Sequence, residues 1–263
     1  MRVPVVLALC SACRIGFDAA EDSGFQKPLA GDAALGIDSP PGSGSYTLVD
    51  TTAPYVGLVD SMPLEGFLVD DDDENYTATL PFVFELYSVT YDTITINTNG
   101  YVTFTTPLTG VATAENQCPF TPAAPDAMIA LLWDDLYASP IAPVAAIVSA
   151  TAGTAPNRTF SVEWRNMDAF YAQGGSFWTQ EVIATQQLVL HESGVIEMHY
   201  GPRTGGPKER DCGLERHLGC SATVGLEGAG GGPVELVQCG TAAGPMAGYS
   251  PLVEGRLLRF TPD

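Results

Sequence analysis

The sequence predicts an all-β fold, a mostly antiparallel two-sheet β-sandwich preceded by an export-type signal segment and a flexible linker. Three observations lead there. Beyond Tyr46 short apolar runs recur between turn residues, the pattern of strands in a sandwich or barrel. Two hairpins can be written down from their turn chemistry and inward-facing patterns. The 263 residues include 28 Gly and 20 Pro, and 45% are apolar against 16% charged, which supports one sizeable core with many tight turns and few long helices.

The chain opens MRVPVVLALCSAC: a positive charge at Arg2, an apolar run from Val3 to Leu9, then small residues before Cys13. This is the order of parts in an export signal, and the run is too short to span a bilayer as a helix. The segment is similar to a bacterial lipoprotein signal, in which a small residue, here Ala12, precedes a cysteine lipidated on its thiol; Pro4 and Cys10 depart from that pattern. The likeness implies that residues 1–13 end on a lipidated Cys13 and that the protein is exported and held on a bacterial outer membrane or cell surface. Residues 14–45 show neither period two nor period 3.6 and are rich in Gly, Ala, Asp, Ser and Pro, so they read as a flexible linker. The sandwich domain is expected over 46–263.

The clearest hairpin is QQLVLHESGVIEMHYG. A three-residue loop, Glu192-Ser193-Gly194, sets His191 opposite Val195. Leu188 and Leu190 then share an inner face with Ile196, Met198 and Tyr200, while His191, Glu197 and His199 point the other way. A second hairpin turns at Asn99-Gly100, between Ile94/Ile96 and the run from Tyr101 to Phe104. Further strands are expected over Ala78–Tyr87, Met128–Trp133, Thr159–Trp164, Ala222–Glu227, Val234–Gln238 and Arg256–Phe260.

Four of the six cysteines, Cys118, Cys212, Cys220 and Cys239, lie far from the N-terminus, and in an exported chain they predict two disulfides. Pairing Ala222–Glu227 with Val234–Gln238 brings Cys220 near Cys239, leaving Cys118 for Cys212; the competing pattern joins Cys212 to Cys220 and Cys118 to Cys239. Their spacing fits a zinc site poorly.

Lys and Arg number 11 against 31 Asp and Glu, a net charge of −20 that repels phosphate backbones and excludes nucleic acid as a partner. The run Asp70-Asp71-Asp72-Asp73-Glu74 is the sharpest local feature. Asp70, Asp71, Asp72 and Asp73 are candidate ligands for a structural calcium, which takes six to eight oxygens, although the spacing of a dedicated calcium loop is absent and solvated turns are the common fate of such runs. No other cofactor is expected. Trp133-Asp134-Asp135 and Glu163-Trp164 offer carboxylates and aromatics of the kind that glycoside hydrolysis uses, against the ordinary roles of tryptophan in a core and aspartate in a turn. His191 and His199 read as a solvent-facing pair rather than metal ligands. Neither G-x-S-x-G nor a phosphate-binding G-x-x-x-x-G-K-[ST] occurs.

The segments LPFVFELYSVTYDTITINTNGYVTF, IALLWDDL, GTAPNRTFSVEWRNM, LVLHESGVIEMHYG and ATVGLE, in that order over about residues 79–227, resemble bacterial surface and secreted β-sandwich modules distantly similar to the nidogen-like extracellular domain. Cys-Arg-Ile-Gly-Phe-Asp after the apolar run also looks like lipoproteins of predatory or social soil bacteria. The resemblance implies an extracytoplasmic adhesive or structural role and carries over no catalytic residue. The expectation is a surface-tethered, non-catalytic module for binding, adhesion or structure, attached to a membrane by its lipid and facing an extracellular protein or glycan. The runner-up is a carbohydrate-binding or carbohydrate-hydrolysing sandwich.

Overall fold

The computed structural model describes residues 44–263 apart from 118–119, 121–124, 141–142, 170–171, 174–175, 178–182, 206–215, 242–243 and 248. The chain divides into two compact units, Met1–Asp38 and Ser39–Asp263. The first, with the predicted signal, Cys10, Cys13 and most of the linker, lies outside the described residues, as do Cys118 and Cys212.

In chain order the strands of the second unit begin with β1 (Tyr46–Thr52), β2 (Met62–Pro63), β3 (Asn75–Leu86), β4 (Val89–Asn97), β5 (Tyr101–Thr103) and β6 (Met128–Trp133). Then come β7 (Leu136–Tyr137), β8 (Ala146–Ala152), β9 (Thr159–Ala169), β10 (Ala172–Gln173), β11 (Ser176–Phe177) and β12 (Ile183–His191). The last are β13 (Ile196–Thr204), β14 (Thr223–Glu227), β15 (Val234–Thr241), β16 (Gly244–Ala247) and β17 (Arg256–Pro262). Among the described residues they form one sheet in the order β1-β17-β13-β12-β9-β8-β2, with β7 added beside β9, a second in the order β16-β15-β14-β6-β5-β4-β3, and a small β10-β11 ribbon. All registered pairings are antiparallel.

Alternation decides how the two large sheets meet. On β12 and β13, Leu188, Leu190, Ile196, Met198 and Tyr200 turn inward, and the second sheet supplies Leu80, Phe82, Phe84, Ile94, Ile96, Ile129 and Leu131 to the same core. Two polar tips reach across it: Tyr200 Oη donates to the Leu131 carbonyl at 2.9 Å, and Trp164 Nε1 donates to the Asn97 carbonyl at 2.9 Å. Each satisfies a buried donor that would otherwise cost about 1–3 kcal/mol. The result is the predicted two-sheet sandwich.

The β12–β13 hairpin forms in the expected register, with Leu188 opposite Met198 and Leu190 opposite Ile196. Gly194 takes a φ of 85° and donates its amide to the His191 carbonyl. The second hairpin differs from expectation. Asn97 faces Tyr101, so Thr98, Asn99 and Gly100 form a three-residue loop in which only Gly100 has positive φ, at 77°. Asn99 is freed from supplying a positive φ, and its side chain bonds Asp73 and the Leu136 amide instead.

A bulge alters the register expected beside the cysteines. Glu227 pairs with Val234 as expected, but a register shift between Val224 and Gly225 sets Val224 opposite Gln238. That extra residue brings Gly240, rather than Cys239, against the Cys220 carbonyl. Cys220 is fully buried and Cys239 nearly so, while Cys118 and Cys212, the other members of both expected patterns, lie outside the described residues.

Candidate functional site

Among the described strands the chain passes between the two large sheets four times, and two of those crossings meet at one place. Between β2 and β3 it runs from the first sheet to the second through the acidic run; between β6 and β7 it returns through Asp134 and Asp135 alone. The first crossing docks on the second by backbone bonds: Asp70 N to Ala138 O at 2.8 Å, Ala138 N to Asp71 O at 3.0 Å, and a bridge between Asp72 and Tyr137.

Within the run the four aspartates separate. Asp70 accepts from the Tyr137 hydroxyl, and Asp71 accepts from the Tyr76 hydroxyl and from the Leu68 amide at 2.6 Å. Asp70 (φ 92°) and Asp73 (φ 56°) take left-handed backbone conformations within the run. Asp72 and Asp73 face Asp135 of the returning crossing, and one carboxylate oxygen from each of the three lies within 4.8 Å of the others. The expected set Asp70–Asp73 is thus divided, and Asp135 was missed because it stands 62 residues further along the chain, with nothing local to link it to the run.

Asn99 assembles the surroundings. Its Nδ2 donates to Asp73 Oδ1 at 2.9 Å and to Thr113 Oγ1 at 2.9 Å, while its Oδ1 accepts from Leu136 N at 2.7 Å. Thr113 Oγ1 donates to Asp73 Oδ1 at 2.8 Å, and the Thr113 carbonyl receives Trp133 Nε1 at 2.7 Å. Beside Trp133, with ring centroids 5.3 Å apart, stands Tyr101, wholly buried, whose hydroxyl meets no hydrogen-bond partner. Burial raises its pKa, and the charge that adds to the shift is Asp73's. Asp72 is pushed up to about 6, first by burial, then by the neighbouring charges of Asp73 and Asp70.

The residues singled out for sugar chemistry are placed otherwise. Trp133 and Trp164 are fully buried. Asp134 accepts the Asp135 amide at 2.9 Å and the Ser221 hydroxyl, the turn-ending role. Glu163, only 2% exposed, lies under the segment 53–61, where it accepts Leu58 N at 2.6 Å and Arg165 Nε at 2.8 Å. Arg165 in turn holds the Leu58 carbonyl and the Ser61 hydroxyl. Glu163 and Asp135 therefore do not form a pair across a cleft. His191 and His199 share Glu197, at 3.5 and 3.1 Å, on the outer face, and Arg259 pairs with the same carboxylate. The histidine contacts hold Glu197 well below the usual carboxylate range. A cation is already in place there, which opposes a metal.

The architecture defines an all-β, two-sheet sandwich module. The sequence model of the family described as NIDO related matches residues 45–262, from the start of β1 to the end of β17. The chain belongs to this NIDO-related family. Neither the search of curated proteins nor the search of solved structures returns a significant match.

Proposed function

We propose that the protein is a surface-tethered, non-catalytic module for binding, adhesion or structure, exported and anchored to a bacterial membrane by lipid on Cys13. The observation that carries this reading is the engagement of the chemically useful side chains in building the sandwich. Glu163 secures the segment 53–61 over the first sheet, Asp134 ends a strand, Trp133 and Trp164 fill and tie the interior, and His191 and His199 are joined through Glu197. Membership of a nidogen-related family is consistent with an extracellular role. Between β1 and β3, Val56, Val59, Met62 and Leu68 are each at least 67% exposed, apolar surface of the kind partners bury.

Detergent phase partitioning tests the tether: the wild-type protein is expected in the detergent phase and Cys13→Ala in the aqueous phase. Equal partitioning of the two removes the lipid anchor. A glycan array run beside a polysaccharide hydrolysis screen tests the rest. Turnover that disappears in Glu163→Gln or Asp135→Asn would overturn the non-catalytic reading, and glycan binding without turnover would identify the partner class as carbohydrate.

A further inference from the structure

We propose that Asp72, Asp73 and Asp135 bind a structural calcium ion that clasps the two sheet-to-sheet crossings together. Three carboxylates with oxygens within 4.8 Å of one another repel strongly when ionised, and the whole chain carries a net charge of −20. The protein aggravates this repulsion where it could have relieved it. Asp70 and Asp71 are drawn aside by the Tyr137 and Tyr76 hydroxyls, while the Asn99 and Thr113 bonds fix Asp73 Oδ1 where Asp73 converges with Asp72 and Asp135.

A second observation, independent of the acids, points to a ligand. Tyr101 is completely buried, its hydroxyl has no partner, and Asp73 is the charge acting on it. Buried hydroxyls without partners are rare, and this one, packed on the Trp133 ring whose Nε1 bonds the Thr113 carbonyl and lying within reach of the Asp73 charge, calls for a partner such as a water that a cation holds in position. Asp72 Oδ1 is likewise buried and without a hydrogen-bond donor, as an oxygen reserved for a metal would be. The donor set is all oxygen, which selects a hard cation. The three carboxylates are partly exposed, so water can complete a shell of six to eight, and their loop placement suits the adaptable geometry of calcium better than the strict octahedron of magnesium.

Bound there, the ion would tie the entry to β3 in the second sheet to the entry to β7 in the first, joining the sheets at one end. Calcium sites of extracellular modules have Kd values of about 0.1–1 mM, the range taken for this site.

The test uses the full-length protein stripped with EDTA. Addition of 10 mM calcium chloride is expected to raise Tm by about 3–10 °C, the consequence of ligand about ten- to a hundredfold above Kd for a domain of this size. Magnesium at the same concentration is expected to give less than half that shift. Asp135→Asn and Asp72→Asn should abolish it, whereas Asp70→Asn, which removes a neighbouring charge but no proposed ligand, should retain it. Terbium titrated into the wild-type protein should show emission sensitised through Trp133 and Tyr101 and quenched by calcium, a readout that stands even where a variant fails to fold. No calcium-dependent shift and no calcium-displaceable terbium emission would overturn the site. So would an equal response to magnesium, or loss of the response in Asp70→Asn with retention in Asp135→Asn.

Discussion

Glu227 stands on β14 between Met128 and Val234, 1% exposed, and its Oε2 meets no hydrogen-bond partner. Burial, and secondarily the charge of Asp126, pushes its carboxyl from 4.5 up to about 7. A carboxyl whose folded pKa exceeds its unfolded value is held as the acid, so its contribution to stability is complete below about 4.5 and is lost as pH rises through about 7. Glu227→Gln, which keeps the shape and removes the charge, should therefore raise Tm at pH 8, leave it nearly unchanged at pH 4.5, and flatten the profile between. The difference is at most about 3 kcal/mol. Chemical denaturation at the two pH values checks it; an equal effect at both would mean that Glu227 does not titrate in this range.

The β4–β5 turn is the element on which the crossings hang. Thr98 bonds Glu74 through both its amide and its hydroxyl, Asn99 bonds Asp73 and Leu136, and the Gly100 carbonyl receives the amides of Leu131 and Leu132. Gly100 has a φ of 77°, and a Cβ there would collide with the Leu132 backbone carbonyl. Gly66 has a similar φ of 84° but open space around the missing Cβ. Both substitutions to alanine incur the left-handed penalty of roughly 1–2 kcal/mol, and only Gly100→Ala adds a backbone clash. Urea unfolding should show Gly100→Ala less stable than Gly66→Ala by at least about 1 kcal/mol. Equal losses would show that the turn can shift away from Leu132.

At the scale of the molecule, the first sheet is closed by the two ends of the domain. β17 lies between β1 and β13, with Leu48 opposite Phe260 on one side and Ile196 opposite Phe260 on the other. Asp263 accepts the hydroxyls of Ser45 and Thr47, each at 2.6 Å, and Arg256 pairs with Asp50 at 2.8 Å. Deleting 256–263 strands β1 without a neighbour and uncovers the core places of Leu258 and Phe260, each of which contributes about 1.5–3 kcal/mol by burial. Against a total of about 5–15 kcal/mol for a natural domain, the truncated chain should show no cooperative thermal transition. A sharp transition within a few degrees of wild type would mean that the sandwich folds without its last strand.

Local chemistry was readable without the fold. The QQLVLHESGVIEMHYG hairpin, its register and its inner face follow from a glycine in the loop and from period-two alternation, both confined to sixteen consecutive residues, and β6 was bounded at Met128 and Trp133 by its apolar run. β1 and β8 escaped because sheet-edge and near-edge strands need little inward alternation; β1 is exposed at every position after Tyr46. The acidic run announced charge, but its division into Asp70 and Asp71 on one side and Asp72 and Asp73 on the other depends on Tyr76, Tyr137, Asn99 and Thr113, which come from four separate places in the chain. Sequence by itself determined what each short stretch would become, because φ preferences and side-chain alternation act between near neighbours. Only tertiary structure decided that Asp135 would meet Asp72 and Asp73 and that Gly240 rather than Cys239 would lie against Cys220, because a convergence of distant crossings and a single bulged residue are settled by the packing of whole sheets.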